Sequence, residues 1–500
     1  MGLKSFFGVL YARVVKQQNK WWIKNPIKSQ EKVFNSLISR ASETAFGKEH
    51  DFKHIRSYED FKSRVPIRDY EDLKTYVERT LEGEENILWP GRPLYFCKTS
   101  GTTSGTKYIP ISKESMPYHL KGAKDAILSY IEETGNARFV NGKNIFIQGS
   151  PELDFSKKSP IGRLSGIVAH HIPWYLQRDN KPSFDTNCIE DWETKIEAII
   201  DETLSENMTL ISGIPPWVQM YFERLAKRTD KKIKDVFPNY SLFVYGGVNF
   251  EPYKNRFLEL IGKDVPSVET YPASEGFIAY QDKQKTEGLL LCVNHGIFYE
   301  FVESSQFFEE NPKRIALADV EVGKDYVLIL NTNAGLWGYN IGDTVRFVST
   351  SPYRLVVSGR IKHFTSAFGE HVIGKEVEEA MRQVLKKQSA IVTEFHVAPE
   401  VNPKTGLPYH EWYVEFKEPP SNEAVFAENL DEAMQKQNSY YKDLVEGKVL
   451  KPLIITKVRE GGFHQYMKSE GKLGGQNKPP RLSNNRKLAN SLTPFLDDRQ

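Results

Sequence analysis

Residues 94–107 read Leu94-Tyr95-Phe96-Cys97-Lys98-Thr99-Ser100-Gly101-Thr102-Thr103-Ser104-Gly105-Thr106-Lys107. The opening of this stretch, residues 94–97, has the texture of a short strand, and residues 118–133 read as a helix. A strand and a helix joined by a special loop suggest an α/β unit. The loop places six hydroxyl residues, two glycines and a lysine within the nine positions 99–107. Glycines let backbone N–H groups converge, hydroxyls donate and the lysine adds charge, so the loop can wrap a polyphosphate. A flexible Ser/Thr/Gly linker has the same composition. The stretch is not a Walker A motif, because Thr106 and Tyr108 stand at two of the places that motif requires.

Upstream, residues 5–85 carry a helical pattern, with Phe34, Leu37, Ile38 and Ala41 at positions i, i+3, i+4 and i+7, and are expected to form a helical cap. Downstream, strand-like runs at 144–148, 209–212, 242–245 and 267–270 alternate with helical stretches such as 191–204 and 217–228. That alternation predicts a large α/β domain. From 289 to 358 the strand-like runs 289–293, 299–302, 326–331, 344–348 and 354–357 follow one another without long helices, which predicts an antiparallel subdomain. A final unit follows, with helices at 375–386 and 422–444 and strands at 391–397 and 411–416. The main boundary is expected near Gly359-Arg360.

At about 150 residues per domain, 500 residues give about three domains. Hydrophobic residues at 39% and charged residues at 26% describe an ordinary globular chain. Sixty-seven basic against 65 acidic residues leave +2, which supplies no global attraction to nucleic acid or to an anionic membrane. No apolar run is long enough to span a bilayer. The apolar stretch 6–12 is interrupted by Arg13, Lys16 and Lys20, so it is expected to cap a core rather than to direct secretion. Cys97, Cys188 and Cys292 are far apart and form no C-x-x-C pair, which fits a reducing, cytoplasmic compartment.

Three further clusters carry chemistry. Tyr271-Pro272-Ala273-Ser274-Glu275-Gly276 follows the run 267–270, and a carboxylate at a strand end is placed to hold Mg²⁺ together with phosphate oxygens. A solvated turn glutamate would read the same. Trp337-Gly338-Tyr339-Asn340-Ile341-Gly342-Asp343 offers an acidic group to ribose hydroxyls, or a simple hairpin turn. Gly475-Gln476-Asn477-Lys478-Pro479-Pro480-Arg481 presents a lysine from a mobile loop, or is a basic tail. His410-Glu411 lacks the second histidine of a zinc protease helix, because Val414 stands in its place. The adjacent His170-His171 pair suits packing or hydrogen bonding rather than metal binding.

In this order the clusters resemble the adenylate-forming superfamily of acyl ligases, adenylation domains and luciferases. More closely, the chain resembles the Gretchen Hagen auxin-responsive family of acyl acid amido synthetases. The resemblance extends through Glu31-Lys32-Val33-Phe34, Phe46-Gly47-Lys48-Glu49-His50, Val65-Pro66-Ile67-Arg68-Asp69-Tyr70-Glu71 and Leu88-Trp89-Pro90-Gly91 to the segment around Lys478. It implies an α/β fold of adenylate-forming architecture. Residues 1–358 would form a large compound N-terminal domain with a helical cap, mixed sheets and an antiparallel subdomain. Residues 359–365 would be a hinge, and 366–500 a small mobile C-terminal α+β domain.

The resemblance also implies roles. Thr99, Ser100, Gly101 and Thr102, with Thr103 beside them, would embrace the ATP phosphates. Tyr271 would pack near adenine, Ser274 would approach the α-phosphate, and Glu275 would assist Mg²⁺. Asp343 would bind the ribose, Gly246-Gly247 would line adenine, and Arg360 would join the ATP set at the hinge. The usual acidic hinge residues are replaced by Lys362 and His363. Lys478 would reach in during adenylation. ATP and Mg²⁺ are thus the expected cofactors, and a small carboxylic acid and an amino acid the expected partners. Coenzyme A or a carrier protein as acceptor, and a nucleotide-binding module without catalysis, are the competing readings. Trp174, Tyr175, Trp217 and Tyr221 are candidate walls for the acyl group, with core packing as the alternative.

Overall fold

The computed structural model describes residues 2–102, 105–248, 250–361, 364–365, 367–370, 372–470 and 479–497. The helical cap forms as expected, through Leu3–Lys24, Pro26–Ala41, Ala45–Glu49, Tyr58–Arg64 and Tyr70–Leu81. Its punctuation is local. Pro26 opens the second helix, where its missing N–H costs nothing. Ser57 with Asp60, and Asp69 with Asp72, form reciprocal capping boxes that satisfy the first amides of the next two helices.

The hydroxyl-rich stretch belongs to a hairpin. Tyr95–Thr102 pairs antiparallel with Gly105–Ile111, from Tyr95 opposite Ile111 to Thr102 opposite Gly105. The second strand was not expected: its apolar end, Tyr108-Ile109-Pro110-Ile111, is short and carries a proline, which argues against a strand. Helix Met116–Thr134 follows and ends on Gly135 in the left-handed region, at φ +68°.

Among the described residues, one sheet of 12 strands organises the molecule. Its order is Arg314–Ala316, Ile297–Glu303, Asp325–Thr332, Tyr339–Thr350, Tyr353–Arg360, Leu289–Leu291, Gly276–Tyr280, Ser267–Ala273, Leu242–Gly246, Met208–Gly213, Lys143–Ile147 and Asn180–Lys181. The last five run parallel, and the others pair antiparallel. The predicted antiparallel subdomain is therefore continuous with the parallel sheet. The tight hairpin from Ser267–Ala273 to Gly276–Tyr280 reverses the chain without leaving the sheet.

Both faces of the parallel half are covered, and the strand period of two divides its side chains between two cores. Leu242 and Val244 join the core beneath the helical cap. Phe243 and Tyr245 join the opposite core, with Ile196, Val218 and Phe257 from the flanking helices. That second core continues without a break into the C-terminal unit, through Phe368, Met381, Trp412, Leu430 and Leu444. At the antiparallel end Arg314 and Glu300 form a buried ion pair at 2.7 Å, and the Arg314 guanidinium also donates to the Val65 carbonyl of the cap. Tyr58 at 2.9 Å and Asn331 at 2.8 Å both donate to the same Glu300 carboxylate.

The C-terminal unit has a sheet of Ile391–Glu400, Tyr409–Glu418 and Ile454–Val458. The expected helix 422–444 is two helices, Glu423–Gln437 and Ser439–Glu446. Asn438 takes an extended conformation between them, and its side chain accepts from the Tyr441 amide at 2.8 Å, capping the second helix. Among the described residues no helix is long and apolar enough to cross a membrane.

Candidate active site

The motifs converge on one cleft of about 2320 Å³, lined by Thr99, Gly246, Gly247, Tyr271, Ser274, Glu275 and Asp343. The hydroxyl hairpin forms one wall. Between Thr99, opposite Lys107, and Thr102, opposite Gly105, the first strand carries one extra residue, a bulge that re-aims the chain. Lys98 and Lys107 both line the cleft beside Thr99 and supply the positive charge an anionic ligand needs.

Ser274 and Glu275 are the two residues of the turn between Ser267–Ala273 and Gly276–Tyr280, with Ala273 paired to Gly276. The Cys97 thiol on the hairpin donates to the Ser274 hydroxyl at 3.1 Å and so locks these two walls together. Burial pushes that thiol up to about 12, and the neighbouring Glu275 charge acts in the same direction. Cys97 is thus an anchor and not a nucleophile. Sequence reasoning assigned it no role in the site, although its position two residues before Thr99 was available as a signal.

Asp343 reaches the cleft from a distorted strand. Val327 faces Thr344 and Ile329 faces Asn340, so Tyr339–Thr350 carries two extra residues here. The Gly342 amide donates to the Asn340 side chain at 2.8 Å, which fixes the bulge. Asp343 is buried and accepts the Tyr271 hydroxyl. Arg360 lies directly opposite Asp343 in the strand register. At the end of Leu242–Gly246, a side chain at Gly246 would sit 2.5 Å from the Thr270 carbonyl, and Gly247 adopts φ +84°. Only glycines let the backbone pass that close to the neighbouring strand, which leaves a smooth wall for a flat ligand.

The C-terminal unit closes the mouth. Tyr440 donates to the Lys98 carbonyl at 3.1 Å, and Asp443 pairs with Arg163 at 2.6 Å. The Arg163 guanidinium lies 4.8 Å from the Tyr440 ring centroid.

Not every expected residue joins the cleft. Tyr221 is fully buried, with its hydroxyl on Thr203 at 2.8 Å, so it packs the core and is not a wall. Trp174 is 79% exposed on a short surface helix and is likewise not among the lining residues. Trp217 does line the cleft. Thr103, Lys362, His363 and Lys478 lie outside the described residues, as do the side chains of Ser100, Thr102, Tyr175 and Arg360; Gly101 is described by its backbone alone. His170 bonds the Pro151 carbonyl at 2.8 Å and His171 the Tyr95 hydroxyl at 3.1 Å, as expected of a packing pair. Among the described residues no group of three or more His, Cys, Asp or Glu side chains could hold a metal by itself.

The chain matches the GH3 family N-terminal domain over residues 16–179, the GH3 family central domain over 290–360 and the GH3 family C-terminal domain over 375–487. It is 24% identical to the indole-3-acetic acid-amido synthetase GH3.3 of Arabidopsis thaliana, across 94% of this chain and 90% of that protein. It is 22% identical to the jasmonoyl-L-amino acid synthetase JAR4 of Nicotiana attenuata, across 64% of this chain and 66% of that protein. Among solved structures, the AtGH3.15 acyl acid amido synthetase in complex with 2,4-DB shares the fold. Its TM-score is 0.62 at 15% identity, covering 97% of this chain and 96% of the other.

Proposed function

The chain belongs to the GH3 family, and from that premise we propose that it is an ATP-dependent acyl acid amido synthetase. It adenylates a small carboxylic acid, releasing pyrophosphate, and passes the acyl group to the amine of an amino acid. The observation that carries this reading is the meeting of the Thr99 hairpin, the Ser274-Glu275 turn and Asp343 in one cleft, three pieces remote in sequence.

The roles follow from the chemistry of these groups. Residues Thr99 to Thr103 and the Ser274 hydroxyl receive the phosphates, where hydroxyls and backbone amides meet charge that develops in transfer. Asp343 accepts from ribose hydroxyls, with Arg360 opposite it, and Gly246-Gly247 and Tyr271 flank the base. The acid carboxylate attacks the α-phosphorus in line with the departing pyrophosphate, and Lys478 supplies charge to that step. The amine of the acceptor then attacks the acyl carbonyl, and AMP leaves.

The donor set fits Mg²⁺ as one protein carboxylate, Glu275, completed by nucleotide oxygens, since among the described residues no multi-ligand protein cage exists. When bound, the ion would neutralise phosphate charge. Residues 359–365 serve as a hinge on which the smaller C-terminal unit moves between the two half-reactions. Cys97, Cys188 and Cys292 form no disulfide, which supports a reducing, cytoplasmic location.

The test is acid-dependent exchange of pyrophosphate into ATP over a panel of small carboxylic acids, followed by mass spectrometry with amino acids or coenzyme A. Amide is the expected product. A thioester instead would replace the acceptor assignment, and no AMP from any acid would remove the enzyme reading.

A further inference from the structure

One wing of the cleft has no part in the reading above. Lys195, on helix Trp192–Thr203, lines the cleft yet is only 2% exposed. Its ammonium donates to the Asn187 carbonyl at 2.5 Å and lies 5.9 Å from the Trp192 ring centroid. Among the described residues no carboxylate lies within ion-pairing distance of it. Burial brings the group down to about 8, and the like charge of Arg163 acts in the same sense, while Cys188 opposes them.

Lys195 has its carbonyl partner but no counter-charge, and other polar atoms of the cleft lining have no partner at all. The indole N–H groups of Trp192 and Trp217 and the side-chain carbonyl of Gln148 are buried without a hydrogen-bond partner. All three residues line the same cleft. The two indoles lie 4.9 Å apart between centroids, so they form one aromatic corner. Buried polar groups are nearly always paired, and an unpaired buried ammonium costs far more than an unpaired amide. Three donors and one acceptor, carried by residues that line one cleft, describe a site that a ligand completes once their side chains turn to it. A carboxylate satisfies the ammonium and the indoles, and a neighbouring N–H satisfies Gln148. Leu444, Gly447 and Val449 of the C-terminal unit line the same cleft, so this wing lies where that unit docks. Lys448 pairs with Glu193 at 3.0 Å beside it.

We propose that Lys195, with Trp192, Trp217 and Gln148, is a carboxylate subsite that holds the carboxylate of the acceptor amino acid. The assignment rests on the amido synthetase reading. A second carboxylate on the acyl acid is the other source of the same chemistry, and the experiment separates the two. Lys195 is here a binding and specificity residue.

The decisive variant is Lys195→Met, which keeps the stem and removes the charge. Its KM for the amino acid should rise at least tenfold, while pyrophosphate exchange with butyrate stays within twofold of wild type. Amino acid amides, which lack the carboxylate, should serve both proteins equally. A rise confined to exchange with succinate over butyrate would overturn the acceptor assignment in favour of the acyl acid. Unchanged constants for both substrates in a folded variant would overturn the subsite. If Lys195→Met does not fold, Trp217→Phe keeps the ring and removes one donor, and the same KM should rise two- to fivefold; no rise overturns the subsite. If the wild type shows no exchange with any acid, the amido synthetase reading fails by itself. The subsite is then read by tryptophan fluorescence titrated with L-glutamate. A saturable change lost in Lys195→Met supports it, and no change in the wild type overturns it.

Discussion

The Tyr271 hydroxyl donates to the Asp343 carboxylate even though three strands lie between theirs in the sheet. Four strand spacings of about 4.8 Å would put a flat sheet's two strands roughly 19 Å apart, beyond the reach of a tyrosine and an aspartate. The sheet therefore curls around the cleft, and the short strand Leu289–Leu291 leaves room for the two side chains to meet across it. Asp343→Ala should raise the KM for ATP about 10- to 100-fold, the worth of hydrogen bonds to a charged acceptor. Tyr271→Phe removes one donor to that carboxylate and should cost less than about tenfold. Exchange assays at varied ATP measure both, and equal effects would contradict the ranking.

Glu275→Ala should shift the magnesium dependence of exchange to higher concentrations by about tenfold, the loss of one charged ligand. A magnesium titration superimposable on wild type would remove Glu275 from the metal.

Lys478→Ala should lower acid-dependent exchange by about 10²- to 10³-fold, as expected of a lost charge at the transferring phosphoryl group. The same variant should still form amide from a preformed acyl-adenylate. Full exchange activity would sink the assignment.

Glu300→Gln should destabilise the fold by about 3–5 kcal/mol, because it leaves the Arg314 guanidinium buried without its counter-charge. The change loosens the helical cap where Tyr58 meets the same carboxylate. Thermal melting measures it, and a loss below 1 kcal/mol would show that water reaches the site.

His119 and His295 are buried, and burial lowers them to about 4 and about 3 from an ordinary value of 6.5. The unfolded chain thus binds protons more readily than the fold between these limits. Their contribution is intact above pH 6.5 and falls as the pH drops toward 4, by up to about 1.4 kcal/mol per unit for each histidine. The melting temperature should fall accordingly between pH 7 and 4, and His119→Asn should make that fall shallower. An identical slope in that variant would exclude His119 as a source.

What the sequence made legible was chemistry that is local. Ser274, Glu275 and Asp343 could be singled out because each follows or interrupts a strand-like run, where turns expose polar groups. The helical cap was readable for the same reason, from the spacing of Phe34, Leu37, Ile38 and Ala41. What stayed hidden was set by contacts between distant segments. The second strand of the hydroxyl hairpin shows its apolar residues only at its end, around Pro110, and the link between Cys97 and Ser274 spans 177 residues. Tyr221 and Trp217 look alike in sequence, yet one side chain points into the core and the other into the cleft. Lys195 sits among ordinary helix residues, and nothing in its neighbours announces that its charge is buried.

The apolar seam joining the C-terminal unit to the parallel strands has a thermal consequence. Any rearrangement that lifts that unit exposes hydrocarbon to water and so carries a positive heat-capacity change. Apolar contacts weaken on cooling, whereas the ion pairs Arg163–Asp443 and Lys448–Glu193 depend on salt instead. Temperature and ionic strength therefore act on two separate clasps, and each can loosen the docking of the C-terminal unit independently of the other.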